Sequence, residues 1–279
     1  MKNLIQTVQL HGVQMTQPQD LTFPALHDIE LNIGKLVTIK RYQLIPMLEQ
    51  PAALTHYADD LVQKQNQLVL QHSIEKSKEL SQLIEKIISL LNQSNRYLKP
   101  RKFNALQRWL GIDLEQEAGS LGYLKKLQKM LEDAGRLSQR LATEIYQSQK
   151  NMQTLHEYRV EMAHYVVAAE QFLTEAHQFA QAQQLENIQQ RLHKKINTLM
   201  TSQSATDLAM LQIQLNQNIA MTILDRFNEA KNVLIPAWQQ HVMQVQQGNT
   251  PQDLQKLNDA RDRLIQTLDR AVKSNQTLN

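Results

Sequence analysis

Two ionisable residues in the middle of the chain have a spacing found in metal sites. Glu161 and His164 are three residues apart, as in the Glu-x-x-His pairs of di-iron helical bundles, and Glu157 lies one turn earlier. Such a site needs the pair twice together with two further glutamates, and no second Glu-x-x-His occurs in the chain. We therefore expect a solvated helix face here, with no bound metal and no other cofactor. A metal- or ligand-binding helical bundle is the less favoured alternative.

The chain also lacks the short motifs that mark common enzyme sites. It contains neither a glycine-rich nucleotide loop nor the G-x-S-x-G turn of hydrolases. His156 and Glu157 miss the zinc spacing H-E-x-x-H because position 160 is valine. The absence of cysteine excludes disulfides, thiolate metal sites and a cysteine nucleophile. These observations predict a protein that is not an enzyme and has no catalytic residues.

The charged residues do not indicate a nucleic-acid partner. The 30 basic and 27 acidic residues nearly balance, with a formal net charge of +3. Lys99–Lys102 and His193–Lys195 are small basic clusters that could hold an anion, but solvated surface is the simpler interpretation. The N-terminus lacks the apolar core of a signal peptide, and no apolar run is long enough to span a bilayer. We expect a soluble cytoplasmic protein without stable membrane insertion.

A group of amide side chains lies inside an otherwise apolar stretch. These residues are Gln212, Gln214, Asn216, Gln217 and Asn218. The simpler interpretation is a polar flank of a helix. The alternative is a buried polar network that fixes the register of packed helices.

The elements that carry these residues are predicted to be long helices. From Arg136 to Gln247 the chain contains no glycine and a single proline, Pro236, while apolar residues recur at helical spacing. This pattern predicts an all-α fold of long antiparallel helices in a bundle or coiled-coil arrangement, with an irregular N-terminal arm. The predicted helices span residues 52–98 in two pieces, 103–110, 113–184, 185–201, 205–234 and 251–273.

The first 51 residues differ from the rest of the chain. They hold four of the seven prolines, and two patches, Leu4–Leu10 and Lys35–Ile39, are β-like. We predict an irregular arm with one hairpin over residues 1–51 and a helical bundle domain over residues 52–279.

Three interruptions of the long helices are predicted from local sequence. A polar run favours a break near Ala142–Gln153, and Ser202–Ser204 is typical of a loop followed by an N-cap. Pro236 should break or kink its helix near Leu234, because a proline ring clashes with the preceding turn. Between the last two interruptions, the helix is predicted to be central, with a wide apolar face. One side of that face carries Leu208, Leu211, Leu215, Ile219, Thr222 and Phe227, and the face is widened by Ile213, Ala220, Ile223 and Leu224.

The segment Gln212–His241 resembles the C-terminal part of the TelA family of toxic-anion (tellurite) resistance proteins. The family has an Ile-x-Leu-x-Gln run, followed about twenty residues later by an Ile-Pro-x-Trp corner. The matching residues, called the TelA-motif residues below, are Ile213, Leu215, Gln217, Ile235, Pro236 and Trp238. The resemblance extends over about residues 112–275. Gln214 and Gln239 stand where the family usually has Arg and Lys, which weakens the case for direct anion contact.

The resemblance implies an all-helical cytoplasmic protein involved in resistance to tellurite and related stress, without a catalytic activity. Our first hypothesis is a non-enzymatic scaffold that binds other proteins through an exposed stripe of a long helix or through the N-terminal arm. Candidate partners are other tellurium-resistance or stress proteins and further copies of the chain. The alternative is a structural coiled-coil component of a larger assembly.

Overall fold

A computed structural model describes residues 7–10, 13–16, 23–71, 75–98, 104, 107–108, 112–176, 182–247 and 251–276. The chain forms two compact units, each made of two separate stretches of sequence. Unit 1 comprises Met1–Ser73 and Tyr146–Leu215, and unit 2 comprises Ile74–Ile145 and Asn216–Asn279. This division differs from the predicted split at residue 51, and an independent N-terminal arm stays a prediction.

The described N-terminal residues begin with a hairpin. Strands β1 (Thr7–Leu10) and β2 (Val13–Thr16) pair antiparallel, with Leu10 opposite Val13. The prediction of one hairpin in this region is confirmed. A 3-10 turn follows at Leu26–Asp28.

The next segment is helical, so the prediction of a β-like patch at Lys35–Ile39 is wrong. Helix α1 (Ile33–Ile39) leads through a π turn (Lys40–Leu44) into the short α2 (Ile45–Met47). The Asn32 side chain accepts a hydrogen bond from Lys35 N and caps α1. Leu36 and Ile39 are buried one turn apart, and this packing overrides the β preference of Val37 and Thr38.

The remaining elements are helices connected by short segments. A 3-10 segment (Pro51–His56) precedes α3 (Asp59–Leu70), which is followed by α4 (Glu75–Asn92) and α5 (Ser94–Leu98). Then come α6 (Ile112–Ala176) and α7 (Ala182–Glu229), a π turn (Ala230–Leu234), α8 (Ile235–Gln247) and α9 (Pro251–Gln276). The all-α bundle prediction is confirmed, and Pro251 begins the last helix as predicted. Two predicted features, the helix 103–110 and the basic run Lys99–Lys102, lie wholly or largely outside the described residues.

Each unit has its own apolar core. In unit 1, α1, the following π turn and α3 pack against residues 162–173 of α6 and 188–199 of α7 in one cluster. In unit 2, α9 packs against both α4 and α8. Four apolar residues of α4 at helical spacing are fully buried in unit 2: Leu80, Ile84, Ile87 and Leu91.

The predicted breaks in the two long helices are wrong. Helix α6 runs through Ala142–Gln153, where the Gln147 amide donates to Asn151 Oδ1 at 3.0 Å one turn on, so the polar run supports the helix. Helix α7 runs through Ser202–Ser204, where Ser204 Oγ donates to Met200 O at 3.0 Å. A hydroxyl that bonds the carbonyl four residues back stays in the helix and does not cap a new one.

Pro236 does not break its helix either. The preceding residues form a π turn in which the N–H of Ile235 donates to Ala230 O, and the backbone stays in the right-handed helical region on both sides. The wider turn accommodates the proline ring that would clash in a regular α-helix. The other π turn, Lys40–Leu44, also ends in a leucine that is followed by Ile-Pro, and there the Ile45 N–H donates to Lys40 O.

The face of α7 predicted to be buried is only partly so. Phe227 is buried, as are the four residues predicted to widen the face, Ile213, Ala220, Ile223 and Leu224. Leu208, Leu211, Leu215 and Thr222 are exposed, and Met210 packs beside Ile213 in the unit 1 core. No helix in the described part of the chain is both long and apolar enough to cross a membrane.

Candidate partner-binding site

The segment from α1 to α2 is fixed along α6 by its inner face. Leu36, Ile39 and Leu44 are buried in the same cluster as Met162 and Val166 of α6. Burying such side chains contributes about 1.5–3 kcal/mol each. The part of the predicted arm around residues 33–47 is therefore a packed part of unit 1.

His164 anchors the start of this segment. Its Nε2 accepts a hydrogen bond from the backbone N–H of Asn32 at 2.9 Å, and its Nδ1 lies 2.7 Å from Val160 O. Since one nitrogen must accept and the other donate, the ring is neutral with its proton on Nδ1. His164 is only 4% exposed, so the prediction of a solvated helix face is wrong for this residue.

Glu161, the other residue of the Glu-x-x-His pair, also contacts the α1 segment. Glu161 forms an ion pair with Lys35 of α1, with 3.3 Å between Oε1 and Nζ. Among the described residues, no three His, Asp or Glu side chains are grouped closely enough to hold a metal ion. Glu161 and His164 both contact the α1 segment and its cap, so the pattern that resembled a metal site positions the arm.

Further polar contacts join the same two elements. Lys40 pairs with Glu175 at 2.8 Å, and the Gln43 amide donates to the Tyr165 hydroxyl at 3.0 Å. The hydroxyl of Tyr57, beyond α2, donates to the backbone carbonyl of Tyr165 at 2.8 Å. Burial, together with the neighbouring Tyr165, holds the pKa of Tyr57 far above its ordinary value. This phenol therefore remains a hydrogen-bond donor.

The outer face of the segment is apolar and exposed. Ile39 and Leu44 are buried on the inner side, whereas Val37 of α1 and Tyr42 of the π turn are exposed. We call the outer set the arm stripe; its exposed fractions are Ile33 76%, Val37 52%, Tyr42 68% and Ile45 51%. Contiguous exposed apolar side chains on a fixed element are typical of protein-interaction surfaces.

One cation borders the arm stripe. The Arg41 guanidinium lies 5.5 Å from the centroid of the Tyr42 ring, and Arg41 has no ion pair among the described residues. By contrast, Lys35 and Lys40 at the edges are paired with α6 carboxylates. The stripe thus offers a large apolar surface and a single positive charge.

Lys195 of the basic cluster His193–Lys195 has a structural role in unit 1. Its Nζ donates to Thr55 O at 2.7 Å and also contacts the carboxylate of Asp59 at the start of α3. The hydrogen bond from Lys195 is the main reason why the pKa of Asp59 is lowered. Lys195 joins α7 to the chain that follows the arm, which accounts for one of the two predicted basic clusters.

The Asp59–Lys195 contact should make stability depend on acid pH. Because the folded pKa of Asp59 is lowered, its contribution is present above the unfolded value and is lost as pH falls through the folded value. Asp59 is largely exposed, so we expect Asp59→Asn to cost only about 0.5 kcal/mol at neutral pH and nothing well below the ordinary pKa of about 4. Urea unfolding of both chains across pH measures this difference, and a constant difference at all pH values would contradict it.

A chain of buried polar groups crosses unit 1 near the same helices. Arg159 Nε and Nη2 donate to the two carboxylate oxygens of Asp207 at 2.9 and 3.1 Å, and Nη2 also donates to Pro24 O at 2.6 Å. Gln203 donates to Asp207 at 2.6 Å and accepts from Gln65 at 2.8 Å. Four elements are thereby held in register. Nothing in the sequence pattern singles out these residues, because the ion pair joins positions 48 residues apart.

The TelA-motif residues are divided between the two units. Ile213, Gln217, Ile235 and Trp238 are buried, whereas Leu215 and Pro236 are exposed. Ile213 belongs to the core of unit 1, and Trp238 is buried in unit 2 as predicted. Their role as a family motif stays a prediction.

The amide group in α7 divides between the two interpretations given above. Gln214 and Gln217 are buried, while Gln212 and Asn218 are exposed. The polar-flank interpretation holds for the exposed residues, whereas Gln214 and Gln217 are buried and a network that fixes helix register stays a prediction for them. The arm stripe itself was missed because its residues were assigned to irregular structure; the Asn32 cap followed by apolar residues at helical spacing was the signal.

The fold and this surface define a class: a helical-bundle protein with an exposed apolar face. The chain is similar to Protein KlaA of Escherichia coli, with 26% identity over 173 residues, covering 59% of this chain and 65% of KlaA. The chain thus matches less than two thirds of the length of that relative. This similarity supports the resemblance carried by the TelA-motif residues. No protein-family model and no solved structure matches the chain.

Proposed function

We propose that this protein is a non-enzymatic cytoplasmic scaffold in resistance to tellurite or a related toxic anion, and that it acts by binding another protein through the arm stripe. The observation that carries the proposal is the arm stripe itself. Four large apolar side chains are more than half exposed on a segment whose opposite face is buried against α6. The similarity to KlaA supports the resistance context.

The rigidity of the segment favours a preformed docking surface. The contacts of Asn32 with His164, Lys40 with Glu175 and Gln43 with Tyr165 hold both ends and the middle of the segment. A fixed surface loses little conformational entropy on binding, so apolar contacts contribute more of their energy to affinity.

The chemistry of the stripe describes the partner. An apolar face of a helix would cover Ile33, Val37 and Ile45, and a carboxylate on that partner would pair with Arg41. Other tellurium-resistance or stress proteins are the candidates that the family context supplies.

The proposal predicts that one charge on the stripe abolishes resistance without unfolding the protein. In the source organism, deletion of the gene should lower tellurite tolerance, and the intact gene supplied in trans should restore it. Val37→Glu should fail to restore tolerance, because a carboxylate at the centre of the stripe must be desolvated on binding. Growth across a tellurite series measures the effect.

The matched control is Leu70→Glu, the same change in charge at a leucine that is 83% exposed on α3 and lies outside the stripe. It should restore tolerance like the intact gene, and both variants should retain the helical circular dichroism and melting temperature of the parent. Full rescue by Val37→Glu would remove the arm stripe as the binding surface. An unchanged tolerance on gene deletion would remove the resistance role.

A further inference from the structure

The chain contains one local structure twice, once in each unit. We call residues 40–48 the first corner and residues 230–238 the second corner. In both, a five-residue π turn ends in leucine, a helix then begins with Ile-Pro, and the isoleucine N–H donates to the carbonyl five residues back. At this isoleucine φ and ψ are −59° and −46° in the first corner and −65° and −49° in the second. The two backbones therefore match, and Ile45 is the equivalent of Ile235.

The two corners differ in what covers them. In the second corner, α9 packs along both the π turn and α8, and Ile235 is only 6% exposed. In the first corner, Ile45 is 51% exposed and belongs to the arm stripe, so the described part of the chain leaves it uncovered. Because the backbones match, unit 2 shows which kind of element packs on a corner of this shape.

The element that covers the second corner is an amphipathic helix. Along α9 the buried leucines recur at steps of seven and four residues, while Lys256 and Arg263 are exposed on the other side. Such a helix packs well because its apolar side chains fit between those of the surface it covers. The buried residues of α9 are Leu257, Leu264, Leu268, Ala271 and Val272.

We propose that the partner of the arm stripe is another protein's amphipathic helix with the leucine pattern of α9, and that it packs on the first corner as α9 packs on the second. This inference rests on the function proposed above, because it specifies the occupant of the same surface. The helix would cover Ile45 and the neighbouring Tyr42. A carboxylate beside its leucines would pair with Arg41, which lies 5.5 Å from the Tyr42 ring.

A labelled peptide with the sequence of α9, Pro251–Gln276, is the probe, and fluorescence anisotropy with the full chain measures its binding. The peptide should bind the parent saturably but weakly, because a free segment must order into a helix on binding. Ile45→Glu should weaken binding at least about tenfold, since its carboxylate would lose water beneath the helix. Leu70→Glu places the same charge at an exposed leucine outside the arm stripe and should bind the peptide like the parent.

A second peptide tests the leucine pattern. With Leu264→Glu and Leu268→Glu in the peptide, binding to the parent should be lost, and equal binding of the two peptides would overturn the proposal. Ile45→Glu leaves unit 2 unchanged. Peptide binding that Ile45→Glu does not weaken would therefore come from exchange with α9 at the second corner and would also overturn it, as would a parent that does not bind the peptide.

The tolerance assay with Val37→Glu separates this inference from the function on which it rests. If Val37→Glu abolishes tolerance and the parent does not bind the peptide, the arm stripe stays a partner site and a helix with this pattern is rejected. If Ile45→Glu weakens peptide binding and Val37→Glu fully restores tolerance, the first corner accepts such a helix and the role of the arm stripe in resistance is rejected.

Discussion

Replacing Trp238 by alanine is expected to lower the free energy of unfolding by about 3–5 kcal/mol, the range for large-to-small changes in a packed core. Trp238 is 1% exposed, and α8, which carries it, packs against α9 in unit 2. The missing ring leaves a cavity that rigid helices cannot fully close. Urea unfolding followed by far-ultraviolet circular dichroism measures the loss, and an unchanged stability would contradict the placement of Trp238 in the core.

Two further variants separate the size of the ring from its polar atom. Trp238 Nε1 has no acceptor among the described residues, so Trp238→Phe removes a buried donor as well as volume. We expect Trp238→Phe to lower the free energy of unfolding by about 1–2 kcal/mol, which is less than the loss for Trp238→Ala. Met243→Ala, at an exposed position on the same helix, should change stability by less than about 0.5 kcal/mol.

The second large effect is expected at the buried ion pair of unit 1. Arg159→Met should lower the free energy of unfolding by about 3 kcal/mol, because Asp207 would remain largely buried without its cation. The backbone carbonyl of Pro24 would also lose its donor. The matched surface change, Arg136→Met, breaks an exposed pair with Asp133 and should cost at most about 0.5 kcal/mol.

A double variant tests whether the charge left behind causes this loss. Arg159→Met with Asp207→Leu leaves no buried charge, so it should be more stable than Arg159→Met alone by about 1–3 kcal/mol. Equal stability of the single and double variants would mean that the loss comes from the packing of the arginine side chain.

The helical class could be predicted from the sequence because it follows from a local property. The scarcity of glycine and proline, together with apolar residues at helical spacing, favours helix wherever the core lies. The breaks could not be predicted in the same way. Serine at Ser204 favours a cap in isolation, yet in α7 its hydroxyl bonds Met200 O and the helix continues.

Which face of α7 is buried, and where the candidate partner-binding site lies, are decided by contacts with distant parts of the chain. Leu208 and Met210 are both apolar and lie on different sides of the helix, so periodicity alone does not decide which side packs. Met210 is buried with Met152 and Leu155 of α6, which are more than 50 residues away in the sequence. For the same reason the sequence predicts a solvated His164, whereas in the structure its Nε2 accepts a hydrogen bond from the distant Asn32 backbone.

The interleaved composition of the two units has a consequence for synthesis on the ribosome. Unit 1 needs Tyr146–Leu215 to complete what Met1–Ser73 begins, and all of the first stretch of unit 2 is made in between. Leu36, Ile39 and Leu44 therefore leave the ribosome long before the residues of α6 and α7 that bury them. Over that interval the nascent chain presents unburied apolar surface, so its yield in the cell should depend on chaperones that bind growing chains.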